Sequence, residues 1–484
     1  MPPRLAGLPI IADVVAAVFL QVVALAWSTR RERSGRRSIP CFIAMSLCAV
    51  FPVMAQEQQD PPEEPAPSTD RLSRCRNPAN PFRLRFECVG QTVDFLADTI
   101  SRDWTGYRSE LAKLGITPAI SYTAQVMGNA NGGRAAGITY AGTLEAEWTW
   151  NLEKLLRIPG LSLNFEAAWS TGRSLSADDI GNIFAVQSAY TSPSGGTNNV
   201  TLGEVYLQQR LFDDKLVIAV GRLAPGATFA TLPVFDTYLN NGINGIPGSL
   251  PINELPFTIH PPGGEWGAQV TYTLVPQIQV SAGLFDTNPE SANGAHGGLD
   301  WTFQQGNNGV LSIYQVTYLH NQERSDRGLP GLYTLGGFYD SNDVMSLATG
   351  GGQQGNYGIY AMFQQMVYRD GGRDSNRGMT VWAETVVSPK SSVNVIPFFV
   401  GAGFTYQGLF PARDKDVLSV SGIRGIFSRY VAHASAETVL EAGYRIAVTG
   451  GVGITPDIQY VIHPSGSSAI PNAVVLGAQL DVSF

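Results

Sequence analysis

Polar side chains recur at every second position in three early stretches. They are Glu145 and Glu147, then Asn164 and Glu166, then Glu204, Gln208 and Arg210. These types act by hydrogen bonding and charge, as a surface that holds a polar solute loosely. None of them is set up as a nucleophile beside a base. The plain alternative is a wetted face that carries such residues everywhere, and the spacing alone leaves both readings open. Arg222 is a further candidate whose facing is ambiguous, because Leu216, Ile218 and Val220 share its parity. A long Pro- and Gly-rich segment, 224–264, adds Asp236, Tyr238, Asn240, Asn241, Asn244, Glu254 and His260. Its composition suits a fixed irregular path, although a plain surface loop is an equal reading. Asp300 and Trp301, in 286–308, offer an aromatic platform or a loop anchor.

Signals for covalent or metal chemistry are weak. The five histidines (260, 296, 320, 433 and 463) are scattered, with no ligand partner at i+4. Gly350-Gly351-Gly352 follows a strand but precedes no helix, so it is no phosphate cradle. No metal and no cofactor is expected.

The elements that must carry these residues are strands. In 473–484 (AVVLGAQLDVSF), Val474, Leu476, Ala478, Leu480, Val482 and Phe484 alternate with Gly477, Gln479, Asp481 and Ser483. A period of two means one oily face and one wet face. A soluble sandwich strand could show the same pattern. The two preceding segments settle the choice: Thr438–Val448 and Ile454–Ile462 alternate too, with a Gly450-Gly451 turn between them. Successive alternating strands of roughly 10 residues are the unit of a transmembrane β-barrel.

The same alternation runs back to Trp104, through 120–126, 144–150, 161–169, 201–212, 216–223, 266–274, 278–284, 309–322, 331–339, 357–369, 379–388, 395–408 and 417–428. The count is about sixteen antiparallel strands, an even number as single-chain outer-membrane barrels use. Connections then sort by parity. Long ones are expected at 173–199, 224–264, 286–308 and 340–356, and short ones at 213–215, 275–276 and 449–452. A ring of that size is too wide to fill with its own side chains, so an aqueous lumen is expected.

Composition agrees. Only 15% of residues are charged, against 44% hydrophobic, whereas ordinary globular chains are about a quarter charged. Residues 1–55 hold six Arg against Asp13 and Glu32, a charge of +4. With −8 overall, the remainder carries −12. So acidic a chain is a poor partner for nucleic acid.

At the amino end, a basic cluster (Arg30–Arg37), an apolar run (Ile39–Val53) and Ala55 have the layout of a secretory signal, with cleavage expected after Ala55. The apolar run 10–27 reads either as an anchor or as the product of a start codon set upstream. Residues 56–102 form a Pro- and Glu-rich linker and a short periplasmic segment, with Val93, Leu96, Ala97 and Ile100 at helical spacing; the barrel takes 103–484. Cys41 and Cys48 fall in the signal region. Cys75 and Cys88 lie close enough in sequence to pair in an oxidising compartment, or remain as thiols.

Several segments resemble the carbohydrate-selective porins of the OprB family. They are DWTGYRSELAKLGI (103–116), SYTAQVMGNANGG (121–133), NLEKLLRIPG (151–160), LGEVYLQQRLFDDKLVIAVGRLAPGATFA (202–230), PDIQYVIHPSG (456–466) and PNAVVLGAQLDVSF (471–484). The resemblance implies a sixteen-stranded outer-membrane channel that admits sugars by diffusion, with loops folded inward. The chain departs from the family at Thr105, where Gly is usual, and matches only loosely over 286–380. A sugar offers hydroxyls and flat apolar faces, so a channel that favours it needs donors, acceptors and rings without one deep site. Expected partners are carbohydrates, outer-membrane lipid, the barrel-assembly machinery through the last strand ending in Phe484, and two further copies in a trimer. The rival functions are a general or non-sugar channel, a structural or adhesive barrel with a plugged lumen, and an outer-membrane lipase. The lipase would need a Ser/His pair that the strand register does not supply.

Overall fold

A computed structural model describes residues 99–484 except 102, 190–198, 259–262, 290–294, 300–308, 323–325, 327 and 373–374. Sixteen antiparallel strands close into one barrel. In chain order they are β1 (Ile116–Asn131), β2 (Ile138–Asn151), β3 (Leu161–Gly172), β4 (Asn199–Leu211), β5 (Leu216–Leu223), β6 (Glu265–Val275), β7 (Ile278–Asp286) and β8 (Val310–His320). The second half is β9 (Gly331–Met345), β10 (Gly352–Arg369), β11 (Gly378–Val387), β12 (Phe398–Gln407), β13 (Val417–Ile426), β14 (Ala436–Thr449), β15 (Val452–Ile462) and β16 (Ala473–Ser483). Each strand pairs with its chain neighbours, and β1 pairs with β16 to close the ring, Ala124 opposite Leu480. Closure satisfies every ladder amide, which hydrocarbon demands.

The alternation expected from sequence is the one observed. Val126, Ile138, Leu335, Ile359 and Leu476 stand exposed on the outside, while Gln125, Thr139, Thr334, Tyr360 and Val475 on the same strands are buried inside. At the end that carries the short turns, Tyr318, Tyr333 and Phe363 line up on the outer face with ring centroids about 6 Å apart, and Tyr368 approaches Tyr406 at 6.3 Å. Amphipathic rings at this level mark a membrane–water boundary.

Connections at one end are tight: 212–215 after β4, 276–277 after β6 and 450–451 after β14. Those at the other end include the long 173–198, 224–264 and 287–309. One expected long loop is not there. Residues 340–345 and 352–356 continue the β9–β10 ladder, with Asp343 opposite Gln354 and Met345 opposite Gly352, leaving only 346–351 as a turn. The strands outrun the apolar band at this point, and beyond it a strand needs no oily face, so polar residues there mimic a loop.

The helix at the start is Tyr107–Lys113 (α1), entered through a 3-10 turn at Trp104–Gly106. The spacing noted at Val93, Leu96 and Ala97 lies outside the described residues, as do Cys75 and Cys88. Ile100 is described, and its amide donates to Ser483 O at 2.9 Å. Arg108 of α1 is 1% exposed. Its guanidinium donates to Phe484 O and to Thr99 Oγ1 and stacks 4.4 Å from the Trp104 ring centroid. Burial lowers its pKa to about 10, with Asp103 pulling the other way. The segment before β1 is thereby tied to the end of β16, at the seam of the ring.

Candidate functional site

Two long loops turn into the lumen, and buried carboxylates on the wall hold their backbone. Glu437 of β14 accepts the amides of Ile183 (2.9 Å), Phe184 (2.8 Å) and Ser465. Four residues along the same strand and on the same face, Glu441 accepts the amides of Leu239 and Asn240. The loops also join each other: Ser188 N donates to Leu239 O at 2.9 Å, and Asn241 N to Ala185 O at 2.7 Å. Asn240 closes the knot, donating to Phe184 O at 3.1 Å and to Gln459 Oε1 at 2.9 Å.

The β5–β6 loop brings its own apolar core. Phe235 and Tyr238 meet the Trp382 ring edge-on at 5.3 and 5.5 Å, and Phe229 meets Phe285 at 6.2 Å. Phe257 packs between Phe338 and Tyr360. Gly403 lets Trp382 lie against the wall, because a Cβ there would stand 2.9 Å from the indole and 2.4 Å from Val420 O. The Tyr238 hydroxyl accepts from Trp382 Nε1 at 2.7 Å and faces Phe404 O and Val420 O. Burying one such ring is worth about 1.5–3 kcal/mol. The lumen side of β7–β13 is therefore largely occupied, and the β3–β4 loop covers part of β1, β2, β14 and β15, where Gln125, Thr139 and Thr143 bond Ser188, Gln187 and Ala189.

On the lumen face the register sets Glu147, Glu166 and Glu204 directly opposite one another across β2, β3 and β4. Tyr206 lies buried among these three and Arg210. Asn164 faces Tyr206 in the adjacent row, accepting from Thr149 Oγ1 at 3.0 Å and donating to Ser162 Oγ at 3.1 Å. Glu145 accepts from Ser121 Oγ at 3.4 Å. Glu204 accepts the amide of Ala224 at 2.7 Å and so fixes the start of the inward loop. Arg210 reaches Asp214 at 3.6 Å and keeps 12% of its side chain exposed. Gln208 is fully buried, and neither of its amide atoms has a partner among the described residues.

The remaining candidates lie elsewhere. Arg222 has the outward parity of Val220 yet is 1% exposed, its Nε donating at 3.0 Å to Gly203 O. Gly203 is the residue bulged out of the β3–β4 register. Asp236 is half-buried on the inward loop. Asn240 and Glu254, on the same loop, are buried. Glu254, at the end of the short helix Ser249–Asn253, accepts from Asn356 Nδ2. Burial, and then the nearby Asp340 carboxylate, push its carboxyl well above the ordinary glutamate range. Trp301 lies outside the described residues. No group of metal-ligating side chains occurs among the described residues.

Sequence reading passed over a second polar strip as a set of site candidates. Gln125 donates to Gln479 (2.6 Å), Gln479 to Asp481 (2.9 Å), and Thr123 Oγ1 to Asp481 (3.2 Å). Its signal was present in the wet positions of β16, but the partners on β1 lie some 350 residues away and only closure brings them together.

The arrangement presents carboxylates and a guanidinium, partly exposed, on the inward face of β2–β4, where a hydrated polar solute can exchange water for them. The family model for the carbohydrate-selective porin, OprB family, matches residues 135–484. Porin B of Pseudomonas aeruginosa is 26% identical over 428 residues, covering 79% of this chain and 90% of that protein. The putative porin QuiX of Acinetobacter baylyi is 22% identical over 419 residues, covering 79% and 92%. Among solved structures, the high-pH structure of Pseudomonas putida OprB superposes with a TM-score of 0.73 at 22% identity, over 81% of this chain and all of that one.

Proposed function

The chain belongs to the OprB family of carbohydrate-selective porins, and from that premise we propose that it is a passive sugar channel of the bacterial outer membrane. It is a channel rather than an enzyme. The observation that carries the reading is a closed sixteen-strand ring whose β2–β4 wall keeps partly exposed polar side chains on its lumen face. Glu145, Glu147, Glu204 and Arg210 are proposed as the wall that passing sugars contact, with Glu166 and Gln208 buried in the same wall. Carboxylates accept from sugar hydroxyls, and Arg210 donates to them, so each hydroxyl exchanges water for protein without a deep trap.

The finer points belong to the same proposal. The mature chain begins after Ala55, Cys75 pairs with Cys88, the last strand is read by the barrel-assembly machinery, and three copies assemble. Mass spectrometry of the secreted protein, with and without reductant, tests the first two.

Single-channel conductance in a planar bilayer, with and without added mono- and disaccharides, tests the function. Stepwise currents that sugars partly block are expected, with weaker block in Arg210→Ala. A bilayer without steps would exclude a porin. Steps that no sugar alters would favour the general channel.

A further inference from the structure

The lumen face of β2–β4 and of the seam is unbalanced in charge. Glu147, Glu166 and Glu204 form one row, Glu145 follows on β2, and Asp481 stands on the far side of the seam. Arg210 and Arg445 stand on inward positions of their strands. Glu145, Glu147, Glu204 and Arg210 are partly exposed, so solutes meet them directly. Apolar packing under the β5–β6 loop fills the lumen side of β7–β13.

A second observation points to the same place. Gln208 stands on the inward face of β4 between Tyr206 and Arg210, fully buried, with both amide atoms unpartnered among the described residues. An orphaned buried amide costs free energy until something hydroxylated or protonated supplies its bonds.

Resting on the channel reading, we propose that this pore sorts solutes by charge as well as by size, favouring neutral and cationic sugars and holding back anionic ones. Fixed carboxylates in a narrow low-dielectric passage focus a negative potential, which concentrates cations and excludes anions. An amino sugar is drawn toward the row Glu147–Glu166–Glu204. A uronate or sugar phosphate is repelled by it, because Arg210 and Arg445 together offset two of these five carboxylates.

The zero-current potential across a bilayer in a potassium chloride gradient tests this. A potential of about one kT enriches cations roughly threefold and depletes anions by the same factor, a ratio of about seven, so potassium is expected to be preferred over chloride at least about threefold near 0.1 M salt. The preference should shrink toward unity near 1 M, where the screening length falls to about 3 Å. The double variant Glu147→Gln/Glu166→Gln should lower the ratio, while Glu110→Gln on exposed α1 should leave it unchanged. Folding of each variant is checked by its heat-modifiable gel mobility, and the parent protein's own potential decides the matter if a variant fails. In liposome swelling, glucosamine and glucose should enter faster than glucuronate. Chloride preference, absence of preference, or glucuronate entering as fast as glucose would overturn the proposal. If potassium is preferred but glucose does not enter, charge sorting stands and the sugar reading falls.

Discussion

At Thr105 the backbone is left-handed, φ +59° and ψ +29°, a region where a β-branched side chain crowds its own carbonyl. Glycine adopts it freely. Its greater freedom in the unfolded chain takes back part of the gain, as does the lost bond from the Thr105 hydroxyl to Trp104 O. Thr105→Gly should therefore stabilise by roughly 0.5–1 kcal/mol, read as a higher thermal midpoint in detergent. A lower midpoint would mean that the hydroxyl outweighs the strain. Glu437 acts in the opposite sense. Glu437→Ala strips the acceptor from three backbone amides, each orphaned N–H costing about 1–3 kcal/mol. Hydrogen exchange at Ile183 and Phe184 should accelerate while the strands stay protected, and unchanged exchange would refute the pinning role. That Glu437 faces inward was legible from alternation with Thr438 and Leu440. What it holds was not, because Ile183 lies more than 250 residues away.

At the scale of elements, strands were legible from their period, whereas inward-folded loops were expected only from the family resemblance. Every strand announced itself by period two, since hydrocarbon outside and water inside leave few other choices. The stretch 340–356 was misread because its polar residues stand beyond the apolar band, where alternation lapses. The loop 224–264 was weighed by its polar residues, yet Phe229, Phe235, Tyr238 and Phe257 do most of its packing. Large rings in an aperiodic, supposedly external segment were the available signal for inward folding. Glu254 gives this loop a pH dependence. Its folded pKa is raised by burial and by Asp340, so the folded state holds a proton that the unfolded state has lost. Stability of the docked loop is then full below the ordinary glutamate range and declines as pH rises through the folded value. Loop exchange rates should increase toward alkaline pH, and Glu254→Gln should flatten the profile. A loop that tightens with pH would contradict this sign.

Over the whole molecule, the ring depends on its seam. Arg108, Ile100 and the β1–β16 ladder meet there, tying the stretch before the first strand to the last residues of the final one. Arg108→Ala removes charge-assisted bonds worth roughly 1.5–3 kcal/mol. It should lower the temperature at which the compact gel band converts to the unfolded one. Conductance should stay near that of the parent, because the change lies at the rim. An unchanged conversion temperature would leave the tie without energetic weight.

A wall whose first plank is nailed to its last has no useful half. Contacts between the most distant parts of the polypeptide must form before any edge is hidden, so closure is slow and arrives late. Until then every partial sheet offers bare hydrogen-bonding groups to proteases and to its neighbours. The cell therefore meets this protein in two conditions, finished or disposable, and a defect anywhere along the wall is exposed at one joint.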